Sequence, residues 1–225
     1  MLGYIVYLAL LILVPMLAQS KVKKTYKKYA QVMNSNMITG AQVARKILDN
    51  NGLYHVSIEE TKGKLSDHYD PRKKIVRLSS DNYHGYSAAA TAIAAHEVGH
   101  AIQDAESYAF LRFRHTLVPV AGLADKMSFI FIIAGILLSA MNLVLIGVVF
   151  MSFAVLFQLV TLPVEFNASN RAMSQLVSSG IIRNNEERQT KKVLNAAALT
   201  YVAAALVAVA ELIRFASMFL LANNE

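Results

Sequence analysis

A chain of 225 residues is long enough for one ordinary globular domain, yet 55% hydrophobic and only 16% charged residues are too apolar for a soluble one. With a mean hydropathy of +0.40, membrane spans are the natural cause. The absence of cysteine excludes disulfides and thiolate metal sites, so any zinc must be held by His and carboxylate. A net charge of +7 fits a membrane protein with basic inner loops, and no aromatic–basic interleaving points to nucleic acid.

In chain order, Leu2 to Ala18 is uncharged for 17 residues. A signal peptide carries its positive charge before the apolar run, whereas Lys21, Lys23, Lys24, Lys27 and Lys28 follow this one. It reads as a first transmembrane helix with the N-terminus outside and the next segment in the cytoplasm. That segment is the most polar part of the chain. Thr39 to Asp49 is expected as a short helix, with Thr39 as N-cap and Val43, Ile47 and Leu48 on its apolar face. His55–Glu59 and Lys74–Leu78 read as strands, with a turn at Asp70-Pro71. Asp81 to Tyr86 is expected as a loop, and Ser87 can cap the long helix that follows.

From Met127 to Val164 no residue is charged, a run of 38, enough for two spans with a turn near Ser139–Asn142. The outer turn lacks Lys and Arg, while Arg112, Arg114, Arg171, Arg183, Arg188, Lys191 and Lys192 flank the inner ends. Ala196 to Leu221 is a fourth span, interrupted by Glu211 and Arg214, which at i and i+3 can form an ion pair. The expected organisation is a first transmembrane helix (1–20), a cytoplasmic domain (21–115), a transmembrane hairpin (116–164), a cytoplasmic segment (165–195), and a fourth helix with tail (196–225). The fold class is mainly α: a polytopic membrane protein of about four spans carrying a small α/β cytoplasmic portion.

The chemistry concentrates in Thr91 to Gln103, where His96-Glu97-Val98-Gly99-His100 forms His-Glu-x-x-His. Random order would produce this pattern about 0.006 times per chain, so a structural histidine pair is the weaker explanation. On a helix the two histidines project from one face a turn apart and can share a Zn²⁺. Glu97, on the adjoining face, can take a proton from a metal-bound water without becoming a ligand. Gly99 lowers helix propensity, and its expected use is close approach of another backbone.

A catalytic zinc needs a third protein ligand. Glu165 follows the hairpin directly, on the same expected side of the membrane as His96 and His100. Its competing reading is a structural pair with a nearby Arg. Glu211 is the rival ligand, but it lies about 22 Å into the fourth span. Asp104 and Glu106 follow the motif on its own helix, and Asp104 could support a histidine instead. His84, with Tyr83 and Tyr86 before the motif helix, could donate to a developing oxyanion, and Arg171 could do likewise. His55, His68 and His115 read as solvent, loop or interfacial residues.

The motif Ala95–Gln103, the preceding Asp67-His68-Tyr69-Asp70-Pro71-Arg72 and Val76-Arg77-Leu78-Ser79, and the later Leu162-Pro163-Val164-Glu165-Phe166-Asn167-Ala168 together resemble the YugP-type neutral zinc metallopeptidases. The resemblance runs from about Met1 to Phe215. It implies a multi-pass bacterial membrane peptidase of the gluzincin kind, zincin-like in its aqueous part, with His96, His100 and Glu165 as zinc ligands and Glu97 as general base. More distantly the chain is similar to HtpX-type and CAAX-type membrane proteases. Those carry an Asp four residues after the ligand Glu, where this chain has Ser169, so the partner that orients a zinc histidine does not carry over. Asp104 and Asn170 are the candidates for that role.

The function expected is zinc-dependent peptide hydrolysis at the cell membrane, with the active site facing the cytoplasm. Its partners would be a polypeptide substrate, membrane proteins included, and the bilayer, without nucleic acid. If the strand at Lys74–Leu78 lies at a sheet edge, an extended substrate could pair with it. The alternatives are a non-catalytic scaffold or assembly factor with a structural zinc and a transporter using the Glu211–Arg214 pair. Glu97 argues against the scaffold, because a structural site has no use for a carboxylate beside the metal. The scarcity of polar groups in Met127–Val164 argues against transport.

Overall fold

The computed structural model describes residues 2–222; the expected tail at 223–225 lies outside them. Seven helices and three strands among the described residues run in the order α1 (Leu2–Tyr29), α2 (Gly40–Asn50), β1 (Ser57–Thr61), β2 (His68–Asp70), β3 (Ile75–Ser79), α3 (Ser80–Tyr83), α4 (Ala88–Ala105), α5 (Ala109–Leu137), α6 (Met141–Ser178) and α7 (Asn184–Ala222). Among the described residues, α1, α5, α6 and α7 are long and apolar enough to cross a membrane. The chain is therefore a mainly helical polytopic membrane protein with a small α/β portion. Its described residues divide into two compact units.

One unit comprises Ala18–Tyr108 with Val164–Thr200. Its core joins Val43, Ala44, Ile47 and Leu48 of α2, Val76 and Leu78 of β3, Ala92, Ala95 and Val98 of α4, and Leu176 of α6. The apolar stripe expected on α2 is thus the buried one, and both expected caps form. Thr39 and Gln42 make a reciprocal capping box on α2, and Ser87 Oγ accepts from the Ala90 amide of α4. The loop expected at Asp81–Tyr86 instead begins with the single turn of α3.

The sheet order is β1-β3-β2, with β1 parallel and β2 antiparallel to β3. The strand at Lys74–Leu78 is therefore central, paired on both sides, and an incoming peptide cannot add to it. β2 was not among the expected strands. Asp67, just before it, accepts from the Ser79 amide (2.7 Å) and Asn82 Nδ2 (2.9 Å), fastening the start of β2 to the end of β3.

The other unit gathers the residues up to Leu17, Ala109–Pro163, and those from Tyr201 on. Here α5 and α6 form a hairpin turning at Leu138–Ala140, where Ser139 takes a left-handed φ of 53°. Small residues let the pair approach. A Cβ on Gly135 would lie 2.6 Å from Val144 Cγ2, and one on Gly147 would lie 2.5 Å from Ile132 Cγ1. Phe131 and Phe150 stack at 5.7 Å. The ion pair expected between Glu211 and Arg214 is not found among the described residues. The Arg214 guanidinium lies over the rings of Tyr7 (4.4 Å) and Tyr4 (5.0 Å), a cation–π arrangement that suits a charge among apolar helices.

Candidate metal centre

The centre is built from α4 and the last four turns of α6. Ten of the 18 residues of α4 are Ala, Gly or Thr, and Ala89, Ala92, Val98 and Gly99 are fully or almost fully buried, so neighbours come close on several sides. The closest approach is at Gly99. A Cβ there would stand 2.5 Å from the Ala168 carbonyl oxygen of α6, a contact no side chain tolerates. This crossing brings Glu165, three residues before Ala168, onto the histidine face of α4.

His96 Nε2 lies 3.2 Å from Glu165 Oε2, and His100 Nε2 lies 3.5 Å from the same oxygen. One ligand atom from each of the three residues falls within 4.8 Å of the others. The imidazoles meet edge to face, with centroids 4.8 Å apart. Glu165 is 2% exposed, a burial that a carboxylate tolerates only with cationic or polar partners.

The far sides of the rings are also held. His100 Nδ1 is 3.0 Å from Gln103 Oε1, while Gln103 Nε2 donates to the Val164 carbonyl (2.8 Å) and to Asn167 Oδ1 (2.9 Å). A carbonyl only accepts, so the Gln103 amide has one permitted orientation. Its oxygen must face His100, so His100 Nδ1 carries a proton, and Nε2 is the ring nitrogen turned toward Glu165. His96 Nδ1 meets Ser169 Oγ at 3.2 Å. Two nitrogens and a carboxylate converging in this way, each ring fixed from behind, fit a three-residue zinc site with a position left for water.

Glu97 is buried, 8% exposed. Burial pushes its carboxyl above the ordinary range, and the neighbouring imidazoles only partly offset this. For His100, burial disfavours the cation, but the facing Glu165 carboxylate outweighs it and the pKa is raised.

Other expected site residues lie elsewhere. Asp104 accepts from Tyr69 Oη (2.7 Å) and Lys74 Nζ (2.5 Å), bracing the end of α4 against the sheet. Burial and that Asp104 contact push the Tyr69 phenol up. Asn170 is exposed. The partners of the histidines are Gln103, three residues after His100 on the same helix, and Ser169 itself, the residue that stands in place of the Asp of related families. His84 is exposed and pairs with Glu60 Oε2 at 3.2 Å. Arg171 binds Glu106 (2.6 Å) and Asn167 Oδ1 (2.7 Å).

Four apolar helices and a His-His-Glu cluster define a membrane protein with a candidate metal site, and comparison with known proteins makes the class specific. The chain belongs to the family described as "Putative neutral zinc metallopeptidase", whose model matches residues 4–220. It is 52% identical over 208 residues, 92% of each chain, to the "Putative membrane protease YugP" of Bacillus subtilis (strain 168). No solved structure matches it.

Proposed function

We propose that the protein is a membrane-integrated, zinc-dependent metalloendopeptidase in which His96, His100 and Glu165 hold the metal and Glu97 is the general base. The observation that carries this reading is the convergence of the three donor residues within 4.8 Å, with buried Glu97 adjacent in sequence to His96. Membership of the zinc metallopeptidase family and the likeness to the Bacillus subtilis membrane protease support it.

Zinc bound there would supply Lewis acidity toward a peptide carbonyl and acidify its water toward a pKa of about 7. The chain's own groups do the rest. Glu97 accepts the proton of the attacking water and passes it to the leaving amine. The burial that raises its pKa makes it a better base than an exposed carboxylate. Gln103 and Ser169 keep both imidazoles aimed, so neither ring has to reorient during the reaction. The substrate class is polypeptide, membrane proteins included. The basic inner ends of the spans favour a site facing the cytoplasm, which a reporter fused after Glu225 tests: a cytoplasmic readout overturns that orientation.

The deciding experiment pairs zinc content with cleavage of casein or a quenched peptide, on detergent-purified native chain and Glu97→Gln. The expected result is stoichiometric zinc in both and cleavage by the native chain alone. Zinc in both with cleavage by neither favours a structural-zinc scaffold, and zinc in neither removes the proposal.

A further inference from the structure

Within the unit that holds the metal centre, the end of α1 and the first turns of α7 enclose a cleft of about 390 Å³. That lies within the range of small-ligand sites, roughly 300–1,000 Å³. It is lined by Lys21, Lys24 and Lys28 of α1 and by Lys192 of α7. The α1 lysines recur at i, i+3 and i+7, one helix face, so the convergence comes from the sequence pattern as well as from the packing. Thr25 and Asn195 add a hydroxyl and an amide, and Ala196 and Leu199 form an apolar wall.

The carboxylates nearest in sequence are Glu186 and Glu187 in the first turn of α7, and Glu186 is taken up by the Ser35 and Arg183 amides. Segments 18–30 and 188–200 contain eight Lys and Arg and neither Asp nor Glu. Among the described residues none of the four cleft lysines joins an ion pair; Lys28 Nζ only approaches the Tyr29 ring, at 5.6 Å. Like charges gathered from two helices repel, and an anion between them removes the repulsion.

Position selects the anion. Lys21 comes three residues after the apolar run Leu2–Ala18, and Leu199 stands at the start of the apolar part of α7. A ligand here therefore has its charge beside lysines and its other end beside two lipid-compatible helices. We propose that the cleft binds the phosphate headgroup of an anionic phospholipid, its acyl chains lying along α1 and α7. A basic pocket at the membrane end of two spanning helices has the chemistry for that ligand, and free phosphate would leave the apolar wall unused.

The test uses the full chain in a neutral detergent with phosphatidylglycerol, phosphatidylcholine or inorganic phosphate added. Retained lipid is read by native mass spectrometry, and stability by the shift in Tm. Phosphatidylglycerol should be retained and raise Tm, while phosphatidylcholine and inorganic phosphate should not. Lys24→Gln/Lys28→Gln/Lys192→Gln should weaken retention on the order of a hundredfold, and Lys192→Gln alone about fivefold. The charge-matched control Lys23→Gln/Lys27→Gln/Lys191→Gln alters the same helices outside the cleft lining and should bind nearly as the native chain does. Equal losses in the two triple variants would reduce the effect to a diffuse surface field and overturn the site. No preference for phosphatidylglycerol over phosphatidylcholine would overturn it too. Equal stabilisation by inorganic phosphate would replace a lipid site with a free-anion site.

Discussion

The two halves of α6 are one continuous helix with opposite rules. In the first half Leu145, Ile146, Val149, Phe153, Leu156 and Leu159 are 38–52% exposed, an inverted pattern that makes sense only where the surroundings are themselves apolar. In the second half Val164, Glu165, Ala168, Ser169, Ala172 and Leu176 are buried to 9% exposure or less, at helical spacing, and they include the polar groups of the metal centre. The boundary falls at Pro163, whose missing N–H interrupts the helical hydrogen bonds just before Glu165. Large apolar residues outside and ionisable ones inside is the reverse of a water-soluble helix. One element can follow both rules because each half answers to its own surroundings.

Substitutions in the two halves should accordingly fail in different ways. The largest effect belongs to Glu165→Gln, which keeps the shape and removes the charged donor. Zinc content and peptidase activity should fall by more than the roughly 10–100-fold typical of losing an outer partner, while membrane insertion is unchanged. Phe153→Lys should do the converse. It should impair insertion by about 2.5–3.5 kcal/mol, read by membrane fractionation, and leave the zinc content of whatever inserts intact. If Phe153→Lys inserts normally, the exposed half does not face lipid.

Gln103→Leu keeps the volume and releases the His100 ring. Metal affinity should drop about 10–100-fold by competition with a chelator, and the metal-free protein should lose about 1–3 kcal/mol in unfolding, because the buried His100 Nδ1 and Val164 carbonyl lose their partner. Two glycines sharpen the contrast further. Gly99→Ala should cost about 1–3 kcal/mol in thermal unfolding, because the added methyl meets the Ala168 carbonyl. Gly122→Ala, in the apolar hairpin, meets nothing within 4 Å and should be neutral or slightly stabilising.

The smallest effect concerns Glu106, whose carboxyl is held below its ordinary range by the hydrogen bond from Arg171. A depressed carboxylate pKa contributes stability above the unfolded value and loses it as pH falls through the folded one. Glu106→Gln should therefore lower Tm slightly at neutral pH and not at all once the solution is acidic enough to protonate the native pair. The side chain is 56% exposed, so solvent and salt screen the pair.

Much of this architecture is legible in order along the chain. The caps at Thr39 and Ser87, the apolar stripe of α2, the uncharged run of the hairpin and the spacing of His96 and His100 are local patterns, and local patterns survive folding. What depends on distant partners is not legible. β3 looks like any short apolar strand, and its central place is decided by β1 and β2, the second only three residues long. Arg214 is three residues from Glu211 and more than 200 from Tyr7, yet the tyrosines hold it, because aromatic faces accept a guanidinium without adding another buried charge. Gln103 stood in plain view three residues after His100, the spacing at which helical side chains meet, but only the fold brings Val164 and Asn167 to fix its amide. Ser169 departs from the Asp of related families, and its hydroxyl nonetheless reaches the ring a carboxylate would orient.

That hydroxyl and the Gln103 amide share one property: neither is charged. A carboxylate behind an imidazole pulls its proton and makes the opposite nitrogen a stronger donor. Gln103 and Ser169 orient the rings without this push, and neither titrates near neutral pH. A metal held by His96, His100 and Glu165 would keep more of its positive charge for whatever occupies its open position.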